Sequence, residues 1–151
     1  MKFFILSPEV AGEIGENSIL TYENGRIKDV VYLDYCFMGW LGDELLSQHP
    51  CFIITKSLQA DIIKAGLTGI SFSDISISFS EEFEELFPNF HKVTVMPEFV
   101  RIQCDNFFED DKEDLKYDFY FNQYHDLIVS ENALAVISKH QLDYCEVDAL
   151  V

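Results

Sequence analysis

Carboxylates are the side chains of this sequence with the greatest capacity for chemistry. The chain of 151 residues holds 27 Asp and Glu against 10 Lys and Arg, a formal charge of −17. The densest run, Asp105 to Asp118, contains Asp105, Glu109, Asp110, Asp111, Glu113, Asp114 and Asp118, opposed only by Lys112 and Lys116. A second cluster is Glu81, Glu82, Glu84 and Glu85. Acids this crowded can bind calcium, dock a cationic surface, or simply stand in solvent. An EF-hand calcium loop needs Gly at its sixth position. Counted from Asp105 that position is Asp110, and no Gly is near. A cationic partner would gain attraction and relieve the mutual repulsion of the acids. Phe107 and Phe108 sit inside the run. They either anchor an interface beside the carboxylates or pin the segment to the core. The candidate partner-binding residues are therefore Glu81, Glu82, Glu84, Glu85, Phe107, Phe108, Glu109, Asp110, Asp111, Glu113 and Asp114.

Other chemistries find less support. Gly12-Glu13-Ile14-Gly15 has two glycines of a phosphate loop but lacks the third, lacks Gly-Lys-Ser/Thr, and carries a Glu within it. No Gly-x-Ser-x-Gly elbow is present. Acids abound, yet nothing singles out one pair for glycoside hydrolysis. Cys36, Cys51, Cys104 and Cys145 include no Cys-x-x-Cys, and His49, His91, His125 and His140 are scattered. Each cysteine lies in or beside an apolar run, which reads as a free thiol in the core. No catalytic residue, cofactor site or metal site is expected. Nucleic acid is disfavoured as a direct ligand because phosphate binding needs clustered Lys and Arg, and Arg26 and Arg101 are the only arginines. Anionic membrane surfaces are disfavoured for the same reason.

The elements that must carry these residues follow from periodicity and breakers. Residues 2–6 read as a strand, too short for a signal peptide core. Asn24-Gly25 marks a two-residue turn. Residues 30–35 are β-branched and aromatic, hence a strand. Residues 43–48 read as a short helix stopped by Pro50. Residues 51–54 read as a buried strand. Thr55 is placed to cap a helix over 57–65, whose Leu58, Ile62 and Ala65 recur at helical spacing, and Gly66 to end it. From Gly69 to Phe79 the apolar alternation slips by one at Ser73-Asp74, so a bulge or bend is expected. Ser80 caps a helix carrying Phe83, Leu86 and Phe87, and Glu81 and Glu82 suit its positive end. Residues 90–96 and 98–104 read as strands separated by Pro97, and residues 117–121 as another strand. Trp40, in Gly39-Trp40-Leu41-Gly42, reads as core or as a partial surface anchor.

An offset of 75 residues aligns residues 51–72 with 126–147. Ile53 falls on Ile128, Thr55 on Ser130, Ile62 on Ile137 and Leu67 on Leu142. Each segment reads as strand, hydroxyl cap, helix, turn, strand. The alternatives are coincidence and a βαβ-like unit duplicated or used twice. Either way the element order mixes strands and helices. The expectation is a single α+β domain over residues 1–151, with a mixed or antiparallel sheet and a few short helices. Its acidic segment is 105–118. No apolar stretch approaches a membrane span, so a cytosolic protein is expected.

Several stretches resemble bacterial immunity proteins of polymorphic toxin systems. They are Ser7-Pro8-Glu9-Val10-Ala11-Gly12, Gly15-Glu16-Asn17, Gly39-Trp40-Leu41-Gly42-Asp43, the segment from Phe52-Ile53-Ile54-Thr55 to Ala65-Gly66-Leu67-Thr68-Gly69-Ile70, and Leu127-Ile128-Val129-Ser130-Glu131. The likeness is to α+β immunity families with a strand–Ser/Thr–helix–Leu-Thr-Gly pattern. Phe37-Met38 and the acidic segment depart from it locally. The resemblance implies a non-enzymatic inhibitor that binds a toxin domain and occludes its active site or a nearby exosite. Many such toxins are basic nucleases, and a strongly acidic inhibitor would capture them quickly through electrostatic steering. Three rival classes are an acidic adaptor with no toxin partner, a nucleic-acid mimic, and an enzyme. Loop-clustered acids fit poorly with phosphate-like spacing along one face.

Overall fold

In the computed structural model, residues 2–90, 95–109 and 115–150 are described. The fold is α+β, with 41% strand and 16% helix in one small domain. Its frame is a pair of four-stranded antiparallel sheets with matching strand arrangement. The first sheet comprises β6 (Leu45–Gln48), β7 (Cys51–Thr55), β10 (Phe99–Gln103) and β8 (Ser71–Ser73), in that order. The second comprises β11 (Phe119–Phe121), β12 (Leu127–Ser130), β1 (Phe3–Ser7) and β13 (Glu146–Ala149). Helix α1 (Lys56–Lys64) follows β7 directly, and helix α3 (Glu131–Ile137) follows β12 in the same way.

The two sheets match in register as well as order. Ile54 pairs with Val100 and with Leu45, and its counterpart Val129 pairs with Phe4 and with Phe119. Ile102 pairs with Phe72, and Leu6 with Val147. The 75-residue offset thus relates residues that occupy equivalent places. One connection differs. The strand beside β7 comes late in the chain as β10, whereas the strand beside β12 is the N-terminal β1. A sequence offset aligns only segments in the same order, so this swap is invisible to it.

Strand alternation sends successive side chains to opposite faces, and this divides the apolar residues into three layers. The central cluster takes Leu45, Phe52, Ile54, Val100 and Ile102 from one sheet and Phe119, Leu127, Val129 and Leu6 from the other. Leu58 and Ile62 of α1, with Ala133 and Ile137 of α3, complete it. A second cluster covers the outer face of the first sheet, where Leu46, Ile53 and Phe99 meet Leu33, Tyr35 and Phe37. A third, smaller one lies on the outer face of the second sheet: Phe3, Tyr120 and Ile128 with Phe108.

The layer over the first sheet is a three-stranded sheet of β2 (Gly12–Ile14), β5 (Asp34–Phe37) and β9 (Ser76–Phe79). Its β5–β9 pair is parallel. The hairpin of β3 (Ile19–Glu23) and β4 (Arg26–Tyr32) turns at Asn24 and Gly25, both at positive φ, as a two-residue hairpin turn requires. The phase slip at Ser73-Asp74 is where the chain leaves β8 in one sheet and enters β9 in another. Helix α2 (Glu81–Leu86) follows β9.

Residues 43–48 correct the sequence expectation. They contain no helix; Leu45–Gln48 is a strand paired with β7. Leu45 enters the central cluster and Leu46 the outer one. Burying adjacent residues on opposite sides needs a period of two, and a helix of one or two turns carries a nucleation cost with little to offset it. The expected strand over 90–96 is likewise not found in its described part: Phe90, Val95 and Met96 lie outside strands. Residues 91–94 fall outside the described residues.

Candidate functional site

Glu81, Glu82, Glu84 and Glu85 of the first acidic cluster and Glu109 of the second are held by different layers. Ser80 caps α2, its hydroxyl accepting from the Phe83 amide at 3.1 Å. Phe83 is buried and stacks on Phe79, which stacks in turn on Phe37 of the layer over the first sheet. That anchoring turns Glu81, Glu82, Glu84 and Glu85 outward, and all four are exposed. Leu86 and Phe87 beside them are 65% and 55% exposed. The result is a patch of four carboxylates bordered by two apolar side chains on one short helix.

Of the second cluster, Phe107, Phe108 and Glu109 belong to the opposite outer face. Phe108 is 9% exposed and meets Phe3 and Tyr120 edge-on, at ring centroid distances of 5.5 and 5.7 Å. Its neighbour Phe107 is 50% exposed and forms a parallel bridge with Phe121. The pair therefore divides the two roles open to it: Phe108 pins the segment, and Phe107 faces solvent. Glu109 is exposed and lines a cleft of about 530 Å³ with Ile5, Ile128, Tyr124 and Asp126. Asp110, Asp111, Glu113 and Asp114 lie outside the described residues. The structure thus does not bring the described acids of the two clusters together; the sandwich of the central core separates the layers that hold them.

Among the described residues a single Lys or Arg is ion-paired, Lys56 with Glu98 at 3.0 Å, and both side chains are more than half exposed. Arg101 is used structurally, donating to the Val30 carbonyl at 2.6 Å.

Some carboxylates serve the fold instead. Asp34 is fully buried and accepts from the Ser76 and Ser78 hydroxyls at 3.2 and 3.1 Å. Gly15 packs against this carboxylate, leaving no room there for a side chain, which is incompatible with a phosphate seat. Asp43, also fully buried, accepts from the amides of Asp143 and Tyr144 at 2.9 and 2.8 Å. Sequence reasoning gave neither residue a role. Their only local signal is an Asp inside an apolar stretch.

A further acid group ties the two related units. Thr55 caps α1 through the Leu58 amide, and Ser130 caps α3 through the Ala133 amide. Each hydroxyl donates to a carboxylate: Thr55 to Glu44 at 2.7 Å, Ser130 to Asp118 at 2.6 Å. Each carboxylate also reaches across to the other unit. Glu44 accepts from the Gln141 amide at 3.1 Å, and Asp118 from the Thr68 amide at 2.9 Å. Only the Glu44 side adds a histidine. His140 Nδ1 lies 3.1 Å from both Glu44 oxygens, and Nε2 lies 2.7 Å from Asp61 Oδ2. Burial alone would lower the His140 pKa, but the hydrogen bonds and charges of Glu44 and Asp61 together raise it. Glu44 behaves conversely: burial pushes it up, while Thr55, the Gln141 amide and His140 bring it below the usual value.

The four cysteines are free thiols. Burial pushes Cys104 up to about 12 and Cys145 up to about 11, and it raises Cys51 as well. These three are therefore protonated and poor nucleophiles near neutral pH. Cys51 is buried, whereas Cys36, Cys104 and Cys145 are half-buried. No group of three or more His, Cys, Asp or Glu among the described residues is arranged to hold a metal. No helix is long and apolar enough to cross a membrane.

The sequence expectations missed one surface feature. Residues 9–12 run beside 38–41, and together they form a groove lined by Val10, Met38, Trp40 and Leu41. Trp40 packs on Phe99 at 6.2 Å yet also lines this groove, so it serves as both core and surface. Compared with known proteins, the chain matches no family model and no curated protein sequence.

Proposed function

We propose that this chain is a binding protein of the immunity type. It captures a basic toxin domain in the cytosol and blocks that domain's active site or a neighbouring exosite. The observation that carries the reading is the disposition of charge. With a formal charge of −17, some described carboxylates are consumed by the fold, as Asp34 and Asp43 are, many others face solvent, and among the described residues only Glu98 is ion-paired with a Lys or Arg. Self-repulsion of that kind destabilises the free protein, and a cationic partner relieves it. The patch on α2 adds two exposed apolar side chains to four carboxylates, a combination suited to the rim and anchor of a protein interface. The resemblance to toxin-system immunity proteins supports the same reading.

The test uses the product of the neighbouring gene as partner. Co-expression is expected to rescue cells from its toxicity. Replacing Glu81, Glu82, Glu84 and Glu85 by Gln is expected to slow association about tenfold at low ionic strength and to flatten its salt dependence. Unchanged association rates for that variant at low salt would remove α2 from the steering surface. Failure of every neighbouring gene product to bind would overturn the immunity reading.

A further inference from the structure

The groove between residues 9–12 and 38–41 exposes apolar side chains that a compliant loop would have tucked away. Val10 is 62% exposed, Met38 52% and Leu41 58%. Each square ångström of apolar surface left in water forgoes roughly 25 cal/mol, and here the exposed side chains are grouped along one groove rather than scattered. Hydrogen bonds hold the backbone beneath these side chains in place. The Ala11 carbonyl accepts from the amides of Met38 and Gly39 at 2.9 and 3.2 Å. The Ala11 amide donates to the Tyr35 hydroxyl at 3.0 Å, and that hydroxyl donates to the Ser47 carbonyl at 2.9 Å. Burial pushes the Tyr35 phenol up to about 12, so this strut stays intact across the physiological range. On the other wall, the Trp40 indole donates to the Asp43 carbonyl at 2.9 Å, and the Leu41 carbonyl accepts from Gln141 at 3.3 Å. The groove is therefore formed in advance, which lowers the ordering cost of binding.

Its one charged lining residue is Glu9. The Glu9 carbonyl is fixed by the Ser47 amide at 2.9 Å, but its side-chain Oε2 has no hydrogen-bond partner and is screened from water. A carboxylate oxygen without a donor is costly, and no Lys or Arg lines the groove to satisfy it. We infer that this groove seats a segment of the basic partner that presents a Lys or Arg side chain flanked by apolar residues. The methylene stem lies along Val10, Met38 and Leu41, and the cationic head meets Glu9 after a side-chain rotation that turns Oε2 outward. A volume of about 430 Å³ suits one long side chain with an apolar neighbour. Burial, and next the charge of Asp43, raise the pKa of Glu9. A bound cation favours the ionised form, so binding strengthens as pH rises through that raised value. This inference rests on the proposal of a basic protein partner and locates where it docks.

The probe is a pair of peptides, acetyl-Leu-Arg-Leu-amide and acetyl-Leu-Gln-Leu-amide, titrated into the full chain carrying labelled Met, Leu and Val methyl groups. The Arg peptide is expected to shift the Met38 methyl and the Trp40 indole N–H saturably. Its affinity should exceed that of the Gln peptide about fivefold, the effect of one partly exposed ion pair. Glu9→Gln should erase that preference while leaving the weak apolar binding, and Met38→Ser should weaken both peptides. The inference is overturned if the Arg peptide leaves the groove signals still, or if it binds no better than the Gln peptide. It is also overturned if these signals move with protein concentration alone, since the occupant is then a second copy. Silent groove signals combined with salt-dependent capture of the toxin would sink the docking seat and leave the proposed function standing.

Discussion

The two halves of the central sandwich are built alike and finished differently. Around β7 and α1, and again around β12 and α3, the chain uses strand, hydroxyl cap, helix and returning strand in the same register. Equivalent positions fill the shared core: Leu58 and Ala133, Ile62 and Ile137, Ile54 and Val129. Their outer faces diverge. At the places taken by Leu46, Ile53 and Phe99 in the first sheet, the second has Tyr120, Ile128 and Phe3. The first set is roofed by the sheet of β2, β5 and β9, and the second by a segment anchored on Phe108. The lesson is that one packing solution on the inner face leaves the outer face free to carry different surfaces. The α2 acids and the Glu9 groove arise on the roofed side, and the Phe107–Glu109 cleft on the other.

The largest expected losses lie in the shared core. Ile62→Ala and Ile137→Ala each remove a side chain that is 2% exposed from the same cluster. Each should cost about 2–5 kcal/mol in urea denaturation, with the two losses similar in size. A loss under about 1 kcal/mol for either would show that the two helices do not share one core.

The caps give a smaller, paired effect. Thr55→Ala and Ser130→Ala each delete an N-cap and a donor to a carboxylate, Glu44 or Asp118. Each should cost about 1–2 kcal/mol by the same measurement. Thr55→Ser and Ser130→Thr, which exchange the hydroxyls between units, should cost less than their alanine counterparts.

The smallest effect sharpens the asymmetry, because His140 bridges Glu44 and Asp61 and the Asp118 side has no such histidine. A raised His140 pKa means that the stability gained from protonation is fully present below the unfolded value near 6.5 and is lost as pH rises through the folded one. A lowered Glu44 pKa contributes above its usual 4.5 and is lost as pH falls through its folded value. The two contributions overlap between about pH 4.5 and 6.5. His140→Asn should therefore lower the melting temperature most in that window and progressively less at higher pH. The loss should be on the order of 1 kcal/mol, since Asp61 is half exposed and water screens it. A pH-independent loss would mean that the ring acts by packing alone.

What the sequence showed most clearly was local chemistry. Thr55, Ser80 and Ser130 stand where hydroxyl caps belong, and each accepts from the amide three residues on. Gly66 at positive φ ends α1 as a left-handed stop does. Asn24-Gly25 makes its turn from backbone preference alone. The failures were non-local. Leu45–Gln48 lacks any strand period and becomes one only because β7 lies beside it. The short β2 and the groove beside it depend on β5, which is remote from both Gly12 and Glu9 in the chain. Asp34 and Asp43 are silent in the sequence because their partners, Ser76 and Ser78 in one case and residues 143–144 in the other, lie far along it.

The amino-acid sequence by itself determined the negative charge, the α+β composition, the three capped helices and the tight hairpin, since these follow from residue type and from neighbours within a few positions. Tertiary structure alone decided that Glu109 stands on a different layer from the α2 acids, that Phe108 is an anchor while Phe107 is not, and that Val10, Met38 and Leu41 meet around Glu9. The physical reason is that capping and turn preferences act over three or four residues. Which face a side chain occupies depends instead on the strand across the sheet, and that strand can come from anywhere in the chain.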